Sequence, residues 1–395
     1  MGTTIPVAAQ SEDSERPPTV RMARATWDTG WFQAEVYRLL FNRLGYEVEG
    51  PTTMENQEFY EAVAVGDIDL WVNGWFPLHE PLVGDGANVE LVGTQVDAGA
   101  LQGYFIDAAT AVEHEITNLG DLSDPDLAKL FDVDGNGLAD LIGCNVEWTC
   151  AATIDHHLVE YGLSDTVEHI QGDYSPLMHG TIDRYESGDP VLFYTFTPNW
   201  TVGELVPGDD VVWLETPYPS LPEGQTGEDT TTVPGVRGCM SDPCQTGWPP
   251  NDIVAVANQD FLDANPAVRV LLEQIVIPLD DILEQNARMV EGEGDPDDIR
   301  RHAAEWIARN EAAVTEWIRT ADPDAEPYID AVAGTGTGGD ALRIAVRSLP
   351  PFVIYENRTY GGFEIELAEL VATQLGRDVE VYAVDTVAKQ LDDVA

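Results

Sequence analysis

The segment from Thr19 to Trp75 alternates apolar runs with amphipathic stretches, and that alternation leaves few folds open. "TVRMARATW" reads as a strand. "GWFQAEVYRLLFNRLGYEVEGP" reads as a helix closing at Gly45, then a second strand. "ENQEFYEAVAVGD" has helical spacing, and "IDLWVNGW" is a third strand. Strands interleaved with helices predict parallel pairing, with the helices covering the faces of the sheet. The fold class is therefore α/β.

The pattern continues less evenly. "GLADLIGCN" leads into a helix over "CAATIDHHLVEYGL", and "PVLFYTFTPNW" and "DDVVWLETP" are strand-like. Residues 218–251 are rich in Pro, Gly, Thr and Asp and read as loop. From "NDIVAVAN" onward the chain reads as helical, through "ANPAVRVLLEQIVIPLDDILEQNARMV" and "DPDDIRRHAAEWIARNEAAVTEWIRTA". In the last of these Ile299, Ala303, Trp306, Val314 and Trp317 form one stripe, and Asp295 and Pro296 supply a cap and a first-turn proline. Residues 1–17 read as a solvated leader, and 331–340 as a Gly/Thr linker. Residues 341–395 read as strand, loop, helix, strand. They look like the truncated start of a further α/β module, as in a fragment of a longer protein.

Charge and cysteines narrow the setting. Asp and Glu number 71 against 19 Lys and Arg, a net charge of -52. Nucleic acid and anionic membrane surfaces need basic patches, so neither is an expected partner. Such a surface suits high salt, where self-repulsion is screened, and points to a halophilic source. No apolar run is long enough for a membrane-spanning helix. The start, "MGTTIPVAAQSEDSERPP", carries a cleavage-like "VAAQ" without a basic opening or an adequate apolar core. The four cysteines fall in two close pairs, Cys144 with Cys150 and Cys239 with Cys244. All pairings are formally open, but local closure is the economical one, worth roughly 2 kcal/mol for so short a loop. A zinc site made of the four thiolates competes, although the spacings are not the tight C-x-x-C kind. Disulfides require an oxidising compartment, so the expected location is extracytoplasmic, with a signal sequence truncated or missing.

Three stretches carry aromatic rings that could meet. In "VNGWFPLH", Trp75 sits at the carboxyl end of a strand, where open α/β sheets place ligands, and His79 follows four residues on. "GCNVEWTC" holds Trp148 between two cysteines, on a loop that cannot easily reach a core. In "YTFTPNW", Phe196 and Trp200 share a face with positions 194 and 198 if the strand continues. Each ring alone is as readily a core residue. Together they suggest a cage for a small cation. Ring faces carry negative charge density, and a quaternary ammonium has no N–H to donate, so each face contributes roughly 0.5 to 2 kcal/mol.

Two other stretches bear on metals. In "DVDGNGLAD", Asp132, Asp134, Asn136, the Leu138 carbonyl and Asp140 occupy positions 1, 3, 5, 7 and 9 of an EF-hand-type loop, with Gly137 at the tight turn. Gly143 stands where the bidentate Glu belongs, so a structural calcium and a metal-free Asx-rich turn are both open. In "DHHLVE", Asp155, His156, His157 and Glu160 invite a metal-hydrolase reading. Adjacent residues on a helix point about 100° apart, a poor geometry for one ion. With no nucleophile or paired-carboxylate signature, no catalytic residue is expected.

From about residue 20 to about 325 the chain resembles the glycine betaine/proline betaine substrate-binding proteins of osmoprotectant ABC importers. The resemblance rests on "WFPLHEPL", "QGYFID", "ITNLGDLSDPDLAKLFDVDGNGLADLIGCN", "YTFTPNW", "GDDVVWLETP" and "DPDDIRRHAAEWIARN". It implies a two-lobed, periplasmic-binding-protein-like (type II) clamshell joined by crossing strands, needing no cofactor. It makes Trp75 and Trp148 two walls of the ligand box and Cys144–Cys150 the disulfide that fixes the second wall. It gives the ligand carboxylate to His79 and to the backbone N–H groups around Trp148 and Thr149. The family pattern it resembles has tryptophan where this chain has Phe196 and glycine where it has Thr149.

The expected division is lobe 1 over residues 18–105 plus 253–330 and lobe 2 over 106–252. The expected partners are a zwitterionic quaternary-ammonium ligand and an ABC transporter permease. A sensor or receptor region of a larger fusion is the alternative. It is prompted by residues 341–395, which resemble the opening of an amino-acid-type solute-binding domain with Phe352 near its ligand cleft. A metal-dependent hydrolase is the weaker one.

Overall fold

The computed structural model describes residues 18–323 and, beyond them, 342–346, 354–356, 359–361, 365 and 379–383. These fall into two units. One takes residues 21–44 and 48–325, and the other includes the strands beyond residue 341.

The expected opening alternation is present. It runs β1 (Thr19–Arg24), α1 (Trp31–Arg43), β2 (Glu47–Thr53), α2 (Asn56–Val65) and β3 (Leu70–Phe76). β1 and β3 pair in parallel, with Met22 opposite Leu70. α2 ends where Gly66 takes φ +79°, a conformation that costs glycine nothing. Every residue of β3 except Phe76 is buried, as expected of a strand covered on both faces.

The middle of the chain is organised by one long strand. β4 (Val89–Asp107) spans 19 residues and is followed by α3 (Ala108–His114) and α4 (Pro125–Ala128). Next come β5 (Ala139–Ile142), α5 (Thr149–Glu160), β6 (Val167–Ile170), α6 (Tyr174–Glu186), β7 (Leu192–Thr197) and α7 (Thr201–Glu204). β8 (Val211–Leu214), β9 (Thr232–Val233), β10 (Cys244–Gln245) and β11 (Asn251–Asn258) complete the strands of this unit. The sheet order is β2-β1-β3-β11-β4-β7-β5-β6, with β8 also on β4. From Val89 to Ala100, β4 pairs antiparallel with β11, which itself pairs with β3. From Leu101 to Asp107 it pairs with β7 and β8. Two half-sheets are thus joined through a single continuous strand, and the cleft described below lies where they meet.

"NDIVAVAN" is β11 and not the start of a helix; helices follow only after Asn258. An eight-residue apolar run does not distinguish a fully buried strand from a helix by periodicity, and here the pairing on both sides decides it. Beyond it lie α8 (Gln259–Ala264), α9 (Pro266–Gln274), α10 (Leu279–Val290), α11 (Pro296–Arg309) and α12 (Glu311–Ala321). Ile299, Ala303, Trp306 and Val314 are buried as the stripe predicts. Trp317 is half-buried, stacked on Trp306 at 6.4 Å. Asp295 caps α11 by accepting from the N–H groups of Asp297 and Asp298.

Beyond residue 341, β12 (Leu342–Val346) pairs in parallel with β15 (Val379–Ala383), and β13 (Ile354–Glu356) forms a hairpin with β14 (Thr359–Gly361). The 1–17 leader, the 331–340 linker and Phe352 lie outside the described residues.

Candidate functional site

Three distant stretches deliver aromatic rings to one cleft. Trp75 arrives on β3, Phe196 on β7, and Trp148 at the cap position of α5. The rings of Trp75 and Phe196 are 5.4 Å apart and perpendicular. Trp148 lies 6.1 Å from Phe196 at 76°. All three line the cleft. Cys144 and Cys150 are disulfide-bonded across the loop that carries Trp148, and the Trp148 indole N–H donates to Thr26 Oγ1 at 2.8 Å. Cys239 and Cys244 form the second disulfide, so no thiolate remains for zinc.

The polar end of the cleft is built around His79. Its ring is 2% exposed, and burial lowers its pKa to about 3. The backbone N–H of Trp75 points at His79 Nδ1 from 3.3 Å and the Tyr60 hydroxyl lies 3.1 Å from the same nitrogen. A main-chain N–H can only donate, so Nδ1 accepts and the neutral ring carries its proton on Nε2. Nε2 lies 3.4 Å from the Asn56 amide nitrogen, itself a donor that reaches Thr149 Oγ1 at 3.4 Å, so with its proton on Nε2 the ring makes no hydrogen bond to Asn56. Thr149 and Cys150 are the first two residues of α5 and line the cleft. N–H groups at a helix start have no acceptor within the helix, and the helix dipole adds partial positive charge there. No carboxylate lines the cleft among the described residues, despite the acidity of the chain.

The structure does not bring Trp200 to this cleft. The strand ends at Thr197 and Pro198 follows, so the expected alternation of side chains stops there. Trp200 instead stacks on His179 at 4.8 Å. Tyr194 and Phe196 do share the cleft-facing side.

Several lining or supporting residues escaped the sequence reading, Asn56 and Leu78 among them. Gln102, directly opposite Phe196 in the β4–β7 register, is buried with its amide oxygen accepting from the Tyr194 hydroxyl at 2.6 Å. Asn73 Oδ1 accepts from the indoles of Trp27 and Trp75. Trp27 lines the cleft just beyond β1. The rule that singled out Trp75, a ring at the carboxyl end of a parallel strand, applies equally to Trp27. Gln102 gives no such signal, because it depends on a strand whose extent is hidden.

The two candidate metal stretches lie elsewhere. Carboxylate oxygens of Asp132, Asp134 and Asp140 lie within 4.8 Å of one another. Asp132 accepts from the Gly135 and Gly137 N–H groups, Asp134 from Asn136, the Asn136 side chain from Leu138 N, and Asp140 from Val133. These hydrogen bonds hold the backbone of the loop in its turns. Gly143, at the place of the missing Glu, has the His169 ring where a side chain would go. In the histidine stretch, His157 is held between the Tyr104 hydroxyl and the Ser220 carbonyl. His156 meets Ser220 Oγ, and Asp155 pairs with His169. With Glu160 Oε1 accepting from Tyr218, these groups are not gathered for one ion.

Comparison with known proteins agrees with this architecture. The family described as the substrate binding domain of ABC-type glycine betaine transport systems matches residues 18–309. The glycine betaine-binding periplasmic protein OusX of Dickeya dadantii is 41% identical over 306 residues, covering 77% of this chain and 90% of that protein. The glycine betaine/proline betaine-binding periplasmic protein of Escherichia coli is 38% identical over 306 residues, with the same 77% and 90% coverage. Among solved structures, the glycine betaine/L-proline-binding protein ProX of Borrelia burgdorferi superposes with a TM-score of 0.58 at 16% identity, covering 77% of this chain and 100% of that one. Lactococcal OpuAC, in its closed form with glycine betaine, gives 0.56 at 15%, covering 76% and 99%. The chain therefore belongs to the family of substrate-binding domains of ABC-type glycine betaine transport systems, and has its two-lobed clamshell fold.

Proposed function

We propose that this chain captures glycine betaine or a related onium carboxylate outside the cytoplasm and presents it to the permease of an ABC importer. The observation that carries the reading is the meeting of Trp75, Trp148 and Phe196 at one cleft, beside a cluster of hydrogen-bond donors and away from any lining carboxylate. The ring faces take the methylated cation. The His79 Nε2–H and the backbone N–H groups of Thr149 and Cys150 take the carboxylate, as helix N-termini take anions. The two half-sheets joined through β4 are the two lobes, and ligand held between them favours the closed form that the importer recognises. The periplasmic names of the curated relatives support the location. The reading involves no bond-making step and no catalytic residue.

Because the cleft lacks a lining acid, it should favour zwitterions, which bring their own negative group, over choline. Calorimetric titration with glycine betaine, proline betaine, choline and ectoine tests this. Betaines should bind most tightly. Trp148→Ala should weaken them at least tenfold, about one cation–π contact together with lost packing. Unchanged affinity in that variant, or choline binding more tightly than the betaines, would overturn the reading.

A further inference from the structure

Trp27 is 7% exposed, and its ring centroid stands 5.4 Å from that of Trp148 at an interplanar angle of 81°. Its indole N–H donates to Asn73 Oδ1 at 2.9 Å, and the Trp75 indole donates to the same oxygen at 2.9 Å. A carbonyl oxygen has two lone pairs and can accept both. One buried amide therefore fixes two rings that line the same cleft. Trp71 packs against Trp27 at 5.5 Å with the ring planes 62° apart, and the adjacent Thr26 holds the Trp148 indole. Further along the cleft Phe196 offers a phenyl ring, a smaller and less electron-rich face than an indole.

We propose that Trp27 is a fourth wall of the cation cage, making up for the small ring at Phe196, and that Asn73 is the positioning residue that sets Trp27 and Trp75 together. The inference rests on the betaine reading above. An indole whose N–H is tied to Asn73 has its positive edge occupied. Where the ring lines the cleft, its π system can meet methyl groups carrying the ligand's positive charge. Since all rings share one ligand, losing one and enlarging another should not be independent changes.

The test is calorimetric titration of glycine betaine into wild type, Trp27→Ile, Trp27→Phe, Phe196→Trp and the Trp27→Ile/Phe196→Trp double variant, with thermal melts to confirm folding. Trp27→Ile should weaken binding roughly tenfold, and Trp27→Phe by less, since a phenyl retains part of the face. Phe196→Trp should change wild-type affinity little yet restore most of the loss in the Trp27→Ile background. Asn73→Ala should weaken binding and also alter the tryptophan fluorescence change on adding betaine, which a purely structural role would not move. Wild-type affinity in Trp27→Ile, or strictly additive effects in the double variant, overturns the inference while leaving the betaine reading intact. Failure of the wild type to bind any betaine overturns both.

Discussion

His79 and His157 are buried as neutral rings, with burial lowering their pKa to about 3 and about 4 respectively. In the unfolded chain both titrate near 6.5. The folded values are depressed, so below pH 6.5 the unfolded chain binds more protons than the folded one. The stability involved is fully present above pH 6.5 and is lost as pH falls toward 4, by about 1.4 kcal/mol per pH unit per histidine. Urea unfolding at pH 7 and pH 5 should show this loss in the wild type and a clearly smaller one in His157→Gln. Equal losses would mean that His157 contributes nothing to the acid sensitivity. Within the same range the folded His79 does not change charge, so betaine affinity should stay flat from pH 8 to pH 5. A fall in affinity near pH 6 would show that the imidazole is protonated in the cleft. Individual residues were legible where a local rule singled them out. Trp75 ends a strand, Trp148 sits between cysteines, and Phe196 keeps strand parity. Asn73 had no such rule, because its role comes from sharing one oxygen between two indoles that only the fold brings together.

At the scale of elements, the loop closed by Cys144–Cys150 joins β5 to α5 and carries Trp148 at its tip. Closing so short a loop constrains the unfolded chain by about 2 kcal/mol. It also keeps the Trp148 ring ordered before ligand arrives, which reduces the entropy lost on binding. Replacing both cysteines by serine should therefore lower the melting temperature by several degrees and weaken betaine binding by more than the loss of stability requires. The check is affinity measured at a temperature where the variant is fully folded; unaltered affinity there would leave the disulfide a purely structural staple. The cap of α11 is simpler. Asp295 accepts two backbone N–H groups, so Asp295→Ala should cost about 1 kcal/mol and lower the melting temperature without touching affinity. Elements flanked by caps and turn residues were the readable ones, as in β1 through β3 and in α11. β4 was not, because Gly93, Gly99 and Gly103 interrupt its pattern. Yet Gly103 is required where it stands, since the Trp213 ring fills the space a side chain would take. β11 was misread because both of its neighbours in the sheet lie far away in sequence.

At the scale of the whole molecule, charge is the dominant long-range term. Even if each of the 19 basic residues neutralised one acid, 71 − 19 = 52 acidic groups would remain unpaired. The ion pairs that do form are mostly at the surface, such as Arg237 with Asp209 and Arg309 with Glu284, and exposed pairs of this kind contribute about 0 to 1 kcal/mol. Salt weakens these pairs and the far more numerous repulsions alike, so repulsion relief should win. The Debye length shrinks from about 10 Å at 0.1 M to about 3 Å at 1 M, and most of the relief should arrive within that interval. The melting temperature should therefore climb steeply with NaCl up to about 1 M, then flatten. That shape separates screening from salting-out, which grows steadily with concentration and is far stronger for sulfate than for chloride. The cleft should behave differently from the surface. A betaine is a net-neutral zwitterion and no carboxylate lines the cleft among the described residues, so betaine affinity should change little over the salt range that stabilises the fold. Scanning calorimetry and titration on the same samples from 0.1 to 3 M NaCl decide the matter. A melting temperature that falls with salt, or an affinity that collapses with it, would mean that ion pairs and not aromatic faces hold this protein and its ligand together.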